Sequence, residues 1–210
     1  MARILEAELD DLTENGRLSV TPPAAVRSWD IPAEAKEELL SHGLPQAIPL
    51  DKYLGVGAAF QEGELPEYVS DKGRCYVIAV CGDVRVVARE RSGQVLAVPE
   101  HREMIPQLAH LHPGGVPDEV INSSVTVLVD FAWRWHWLSR VLTEQEEAAD
   151  EAESAAWRAA RESGSKDPLP DFHELYRMLC QVVRERFREI DPVSIQAERS
   201  MWSEMINGFE

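Results

Sequence analysis

His110-Leu111-His112 sets two imidazoles two residues apart, a spacing that on a strand puts both on one face. With His101 and an acid, the pair has the ligand types of a zinc site. Pro113-Gly114-Gly115 follows at once, so the tract reads as an exposed loop, and loop histidines without a metal account for it better. Leu54-Gly55-Val56-Gly57 begins like a dinucleotide fingerprint. The third glycine is missing and no helix follows to offer its N-terminus to a pyrophosphate. A Gly-x-Ser-x-Gly elbow does not occur. Ser92-Gly93 reads as a hairpin turn and Ser123-Ser124 as a helix start, where capping explains the hydroxyls. Cys75, Cys81 and Cys180 form an odd set without CxxC spacing, in apolar strands or on a helix face, so buried reduced thiols are expected. Paired carboxylates for acid–base work are set by tertiary distance, and spacing alone selects none. No catalytic residue, metal or cofactor is therefore assigned.

Two clusters remain that could meet a partner. Trp133, Trp135 and Trp137 surround His136; on a helix Trp133 and Trp137 share a face while Trp135 points away. Core packing explains most of this cluster, and an exposed Trp133–Trp137 edge is its functional reading, because tryptophan is enriched at binding hot spots. Glu144, Glu146, Glu147, Asp150, Glu151 and Glu153 follow, with no Lys or Arg between Arg140 and Arg158. A solvated helix face or a linker would explain the acids. Their functional reading is an electrostatic surface that raises the association rate of a basic partner more than its affinity. Glu6, Glu8, Asp10, Asp11 and Glu14 form a second acidic group for the same field.

The whole chain shares this bias: 37 acidic against 21 Lys and Arg residues in 210, a formal net charge of −16. Phosphate-backbone binding needs clustered cations, and an anionic membrane surface repels such a chain, so neither nucleic acid nor membrane is expected as partner. No secretory h-region opens the sequence, and Tyr76–Cys81 and Val125–Val129 are far too short to span a bilayer. A cytoplasmic protein with one good core is expected.

The elements that must position these residues are punctuated clearly. Leu5, Leu9 and Leu12 predict one amphipathic helix over 2–12, and Arg17–Val20 a short extended piece before Pro22-Pro23. Trp29-Asp30-Ile31-Pro32 opens a three-turn helix, with Asp30 as its N-cap and Pro32 in the first turn; Ala35, Leu39 and Leu40 face inward, and Gly43 with Pro45 stops it. From Ile48 to Val69 short strands or irregular edges are expected. Tyr76–Val80, Val84–Ala88 and Val95–Val98, joined by turns at Gly82-Asp83 and Arg91–Gln94, form an antiparallel meander, since the connections are too short for parallel strands. Val84, Val86 and Ala88 point one way and Arg85, Val87 and Arg89 the other. Asn122 or Ser123 caps a helix to about Leu142, with Leu128, Phe131, Trp135, Leu138 and Leu142 on one face. The tract Thr143–Glu162 favours helix and ends by Gly164. Two helices close the chain: Asp171–Ile190, with Leu175, Leu179, Val182 and Val183 inward, and Pro192–Ile206, carrying Trp202.

This order predicts an α+β fold, a mostly antiparallel sheet flanked by helices with a helical C-terminal third. Residues 1–20 form an N-terminal helix and arm, and 21–210 a single domain.

Trp29-Asp30-Ile31-Pro32 with Glu37-Glu38-Leu39-Leu40-Ser41-His42-Gly43-Leu44-Pro45 resembles the N-terminal signature of the SUKH superfamily, and within it the fourth, largely actinobacterial subgroup. Gly82-Asp83 and Ser92-Gly93-Gln94-Val95 resemble its central hairpin, with Gln94 standing where the family passes straight from Gly to Val. Ile121-Asn122-Ser123-Ser124-Val125 resembles the block that opens its next helix. Together these blocks span roughly 26–142, and the helical tail is similar only in general character.

The resemblance implies a curved, mostly antiparallel sheet. It also implies a non-enzymatic immunity protein that binds and neutralises a bacterial polymorphic toxin, often a nuclease or deaminase. It carries no catalytic residues to this chain. Such toxins present basic clefts, which an acidic inhibitor complements. A basic toxin domain is thus the expected partner. A regulatory or scaffold module of the same fold is the alternative, and a ligand- or metal-binding enzyme using His101, His110 and His112 a more distant one.

Overall fold

The computed structural model describes residues 1–14, 23–45, 66–69, 73–81, 84–100, 115–196 and 200–207. The histidines at 101, 110 and 112, the glycines at 55 and 57, the extended piece at 17–20 and the Gly82-Asp83 turn lie outside the described residues.

Four short helices come first: α1 (Ala2–Glu6), α2 (Leu9–Thr13), α3 (Pro23–Ser28) and α4 (Ala33–Ser41). Strands β1 (Glu67–Val69), β2 (Gly73–Cys81), β3 (Val84–Arg89), β4 (Val95–Pro99) and β5 (Glu119–Asn122) follow. The chain closes with α5 (Val125–Ser163), α6 (Glu174–Ile190), a 3₁₀ turn at Pro192–Ile195 and α7 (Met201–Asn207). The described strands form a five-stranded sheet in chain order, every pairing antiparallel. This is the expected α+β meander with a helical C-terminal part, extended by β1 and β5 at its edges.

The β3–β4 hairpin forms as expected, with Ala88 opposite Val95 and Val86 opposite Ala97. Val86 and Ala88 join the main core, while Val87 packs with Cys75, Val77, Leu96 and Val98 on the opposite face. Alternation therefore holds, but both faces of the central strands are buried. At the turn Gly93 has φ +67°, and a Cβ there would stand 3.0 Å from Cδ of Pro32. Glycine is needed twice over, for the backbone conformation and for the close approach.

That contact shows what the Trp29–Pro32 segment does. The Trp29 ring stacks on Tyr76 of β2 with centroids 5.0 Å apart. The Asp30 N–H donates to the Tyr76 hydroxyl at 2.8 Å, and the Asp30 carbonyl accepts from the Arg91 N–H in the hairpin turn. Asp30 does not cap α4 with its side chain; the helix starts after Pro32, and no side-chain cap bond forms there. Ala35 and Leu39 are buried as expected, Leu40 only partly. Gly43 takes the left-handed conformation that stops the helix, φ +57°.

Three other expectations change. The segment 2–12 is two helices, because Ala7 and Glu8 are extended between them; Leu5 and Leu12 still reach the core. Helix α3 forms where only a proline pair was read. The last segment is a 3₁₀ turn and a separate α7, with Trp202 buried on the latter.

Candidate partner-binding surface

Helix α5 is 39 residues long, about 58 Å at 1.5 Å per residue. Its N-cap is Ser124, whose hydroxyl accepts the Val127 N–H at 3.2 Å, not Asn122 or Ser123. Asn122 instead belongs to β5 and is fully buried. Its amide donates to the Asp191 carboxylate at 3.3 Å and its carbonyl accepts the Trp202 indole N–H at 3.1 Å. Asp191 also accepts the Ser123 N–H at 2.8 Å. A cap-like sequence word thus serves as a knot between sheet and C-terminal helices.

The first half of α5 is an interior helix. Leu128, Phe131, Trp135, Leu138 and Leu142 are buried on the expected face, and Trp133 is equally buried on the other. The Trp133 indole donates to the Gly43 carbonyl at 3.1 Å, filling an acceptor that the end of α4 leaves open. Trp137 is half-buried, donates to the Leu12 carbonyl at 2.9 Å, and carries the Arg140 guanidinium over its ring at 5.2 Å. The two residues do not form one exposed edge. Arg134 fills the same role for α1: it pairs with Asp130 through two 2.8 Å contacts and donates to the carbonyls of Ile4 at 2.7 Å and Ala7 at 3.0 Å.

Beyond Leu142 the same helix carries the acidic tract without a break and ends at Gly164, φ +68°. Glu144, Glu147, Asp150 and Glu151 are exposed and Glu153 is partly so, while Glu146 is buried. Of the tract, Asp150 and Glu153 face a single imidazole, that of His173. Glu6, Glu8, Asp10, Asp11 and Glu14 are exposed too, with Asp10 closed onto His42 at 2.8 Å.

The surface that sequence reasoning missed is on α6. Its buried ladder is Tyr176, Cys180, Val183 and Phe187, and Phe187 stacks on Phe131 with centroids 4.0 Å apart. Of the four residues expected inward, only Val183 is fully so. Leu175 is 55% and Val182 45% exposed, with Met178 between them at 59%. Among the described residues only Trp157, near the end of α5, is a comparably exposed large apolar side chain. The outer stripe borders a groove of about 520 Å³ between α1 and α6. Met1, Leu5, Leu179 and Val182 give the groove its apolar lining, and Glu6, Glu185 and Glu189 outnumber Arg186 among its charged residues. The missed signal was a surplus: α6 carries two apolar stripes, one more than a helix packed on one side needs.

Two ionisable groups are shifted by burial. The Cys75 thiol is pushed up to about 11, mainly by desolvation. Glu119 is raised, again first by desolvation, against the Met201 N–H that its carboxylate accepts at 2.9 Å. Nothing here assembles a nucleophile, a base and an orienting partner among the described residues.

The chain matches the family model described as SUKH-4 immunity protein over residues 4–208. The match runs from α1 to α7, well beyond the blocks that carry the resemblance in sequence. No curated protein and no solved structure matches the chain. A match of this extent shows the family: the chain belongs to the SUKH-4 immunity protein family.

Proposed function

We propose that this protein is a non-enzymatic inhibitor that docks a cognate polymorphic toxin on the α1–α6 groove and the outer stripe of α6. The observation that carries the reading is the stripe itself. Leu175, Met178 and Val182 are apolar, line one side of one helix, and are left uncovered. An uncovered apolar stripe with a polar rim is the usual anatomy of a protein-binding site.

The partner that fits is a basic toxin domain of nuclease or deaminase type, presenting an apolar ridge flanked by Lys and Arg. Glu6, Glu185 and Glu189 border the groove, and the chain carries −16 overall. Glu144, Glu147, Asp150, Glu151 and Glu153 add to the field that steers encounter, and Trp137 with Arg140 offers a second contact point. Trp133 and Glu146 are interior and lie away from the partner, Trp133 bonded to the Gly43 carbonyl. Occlusion of the toxin's nucleic-acid cleft would be the mechanism, acting in the cytoplasm where that substrate lies.

The test is binding of the purified protein to the C-terminal domain of the toxin encoded beside it. Leu175→Ser, Met178→Ser and Val182→Ser together should weaken binding by at least about a hundredfold, since fully burying a Leu, Met or Val side chain contributes about 1.5–3 kcal/mol. Glu144→Gln, Glu147→Gln and Glu151→Gln together should slow association and flatten its salt dependence while dissociation stays constant. A toxin bound and neutralised equally well by the α6 triple variant would overturn the reading.

A further inference from the structure

Asp150 and Glu153 lie on α5 at i and i+3, on the side that faces the residue preceding α6, His173. The His173 Nε2 stands 3.5 Å from an Asp150 oxygen and 3.5 Å from a Glu153 oxygen, and the three atoms lie within 4.8 Å of one another. We propose that these side chains form a binding site for a divalent transition metal of the zinc type.

The two contacts are ion-pair distances that also leave room for an ion between the groups. An N–H···O hydrogen bond closes to about 2.7–3.2 Å, as His42 does with Asp10 at 2.8 Å, while its other ring nitrogen stands 3.5 Å from Glu38. His173 closes on neither carboxylate and stays equidistant from both. In a tetrahedral zinc site with bonds of about 2.0–2.1 Å, ligand atoms stand about 3.3–3.4 Å apart. The two histidine-to-carboxylate spacings already have nearly that length, and the two carboxylate oxygens lie within 4.8 Å of each other.

The donor set sets the metal class. An imidazole with two carboxylates suits zinc and its neighbours in the first transition row, whereas calcium and magnesium prefer all-oxygen shells. His173 is partly and the carboxylates more fully open to solvent, so the metal has an entry path and keeps a fourth position for water. His173 is also fixed at its base, its N–H donating to Asp171 at 3.1 Å while its carbonyl accepts from Arg177 at 3.0 Å. A bound ion would clasp the middle of α5 to the start of α6. The site shares no residue with the α1–α6 groove or the outer stripe of α6, and a bound ion would offset the charge that Asp150 and Glu153 add to the steering field.

The experiment is calorimetric titration of the full chain with ZnCl₂, with MgCl₂ and CaCl₂ as controls. It is repeated in a background with His101, His110 and His112 replaced by alanine, which removes the three histidines of the 101–112 tract, and in His42→Ala, which removes the other imidazole that faces two carboxylates. One equivalent of zinc should bind in each background and raise Tm, and neither control ion should compete. His173→Ala should remove one equivalent, and Asp150→Asn with Glu153→Gln should weaken it more than about tenfold, with unchanged far-ultraviolet circular dichroism. If the triple-alanine background does not fold, loss of one equivalent in His173→Ala of the wild-type chain decides. Zinc stoichiometry and affinity unchanged by His173→Ala would overturn the site and leave a plain ion pair.

Discussion

Arg134→Met tests the claim that one side chain anchors the backbone at the end of α1, beside the burial of Leu5, and so supports the docking groove. The methionine keeps the apolar stem and removes the guanidinium. Four contacts are lost: two to Asp130 and one each to the carbonyls of Ile4 and Ala7. A hydrogen bond from a charged group contributes about 1.5–3 kcal/mol when buried. The Asp130 side chain is 21% exposed and regains water, so its share is small. The two carbonyl bonds then dominate, giving about 3 kcal/mol. The loss cannot grow much beyond that, because α1 can peel away and hydrate its carbonyls. For a chain of this size about 3 kcal/mol corresponds to a fall in Tm of about 6–12 °C. Arg134→Lys keeps the charge but cannot span both carbonyls and should lose about half as much. Urea denaturation gives the free energy, and hydrogen exchange shows whether protection falls first at residues 2–13. A change under about 1 kcal/mol, with α1 amides protected as before, would refute the reasoning.

Other outcomes follow from local geometry. Gly93→Ala combines a left-handed backbone with a Cβ 3.0 Å from the Pro32 ring, and should cost about 2 kcal/mol in a thermal melt. Cys75 and Cys180 are buried and Cys75 is held protonated, its pKa raised to about 11. Peptide mapping after iodoacetamide at pH 8 should find both unmodified until denaturant is added. The Glu119 pKa is raised in the fold above its ordinary value of 4.5. The folded state therefore binds the proton more tightly, and stability falls as pH rises from about that value through the raised one. Glu119→Gln should remove this decline, measured as urea midpoints across pH 4–8, and an unchanged slope would count against the cause given.

The elements that were legible in the sequence are those governed by short-range rules. Gly43 after Leu39–His42 stops a helix wherever it stands, and the alternation from Val84 to Arg89 fixes a strand and its two faces. Arg91–Gln94 likewise fixes the hairpin turn. The caps and turns around Trp29–Pro45, Ser92–Val95 and Ile121–Val125 also carried the family, because their order is a property of the chain alone.

Tertiary structure decided which of several locally equivalent choices was used. On α6 the stripes Leu175–Val182 and Tyr176–Phe187 have the same period, and tertiary packing, with Phe187 against Phe131 and Trp202, turns the second inward. Trp133 and Trp137 are one turn apart, yet the first meets the Gly43 carbonyl in the core and the second meets Leu12 at the rim. Asp30 and Asn122 look like caps and instead bind partners distant in sequence, Tyr76, Asp191 and Trp202. The meeting of His173 with Asp150 and Glu153 has the same origin. Periodicity and capping energies act over one turn of chain, whereas burial and ligand geometry depend on which elements pack together, and no spacing rule encodes that.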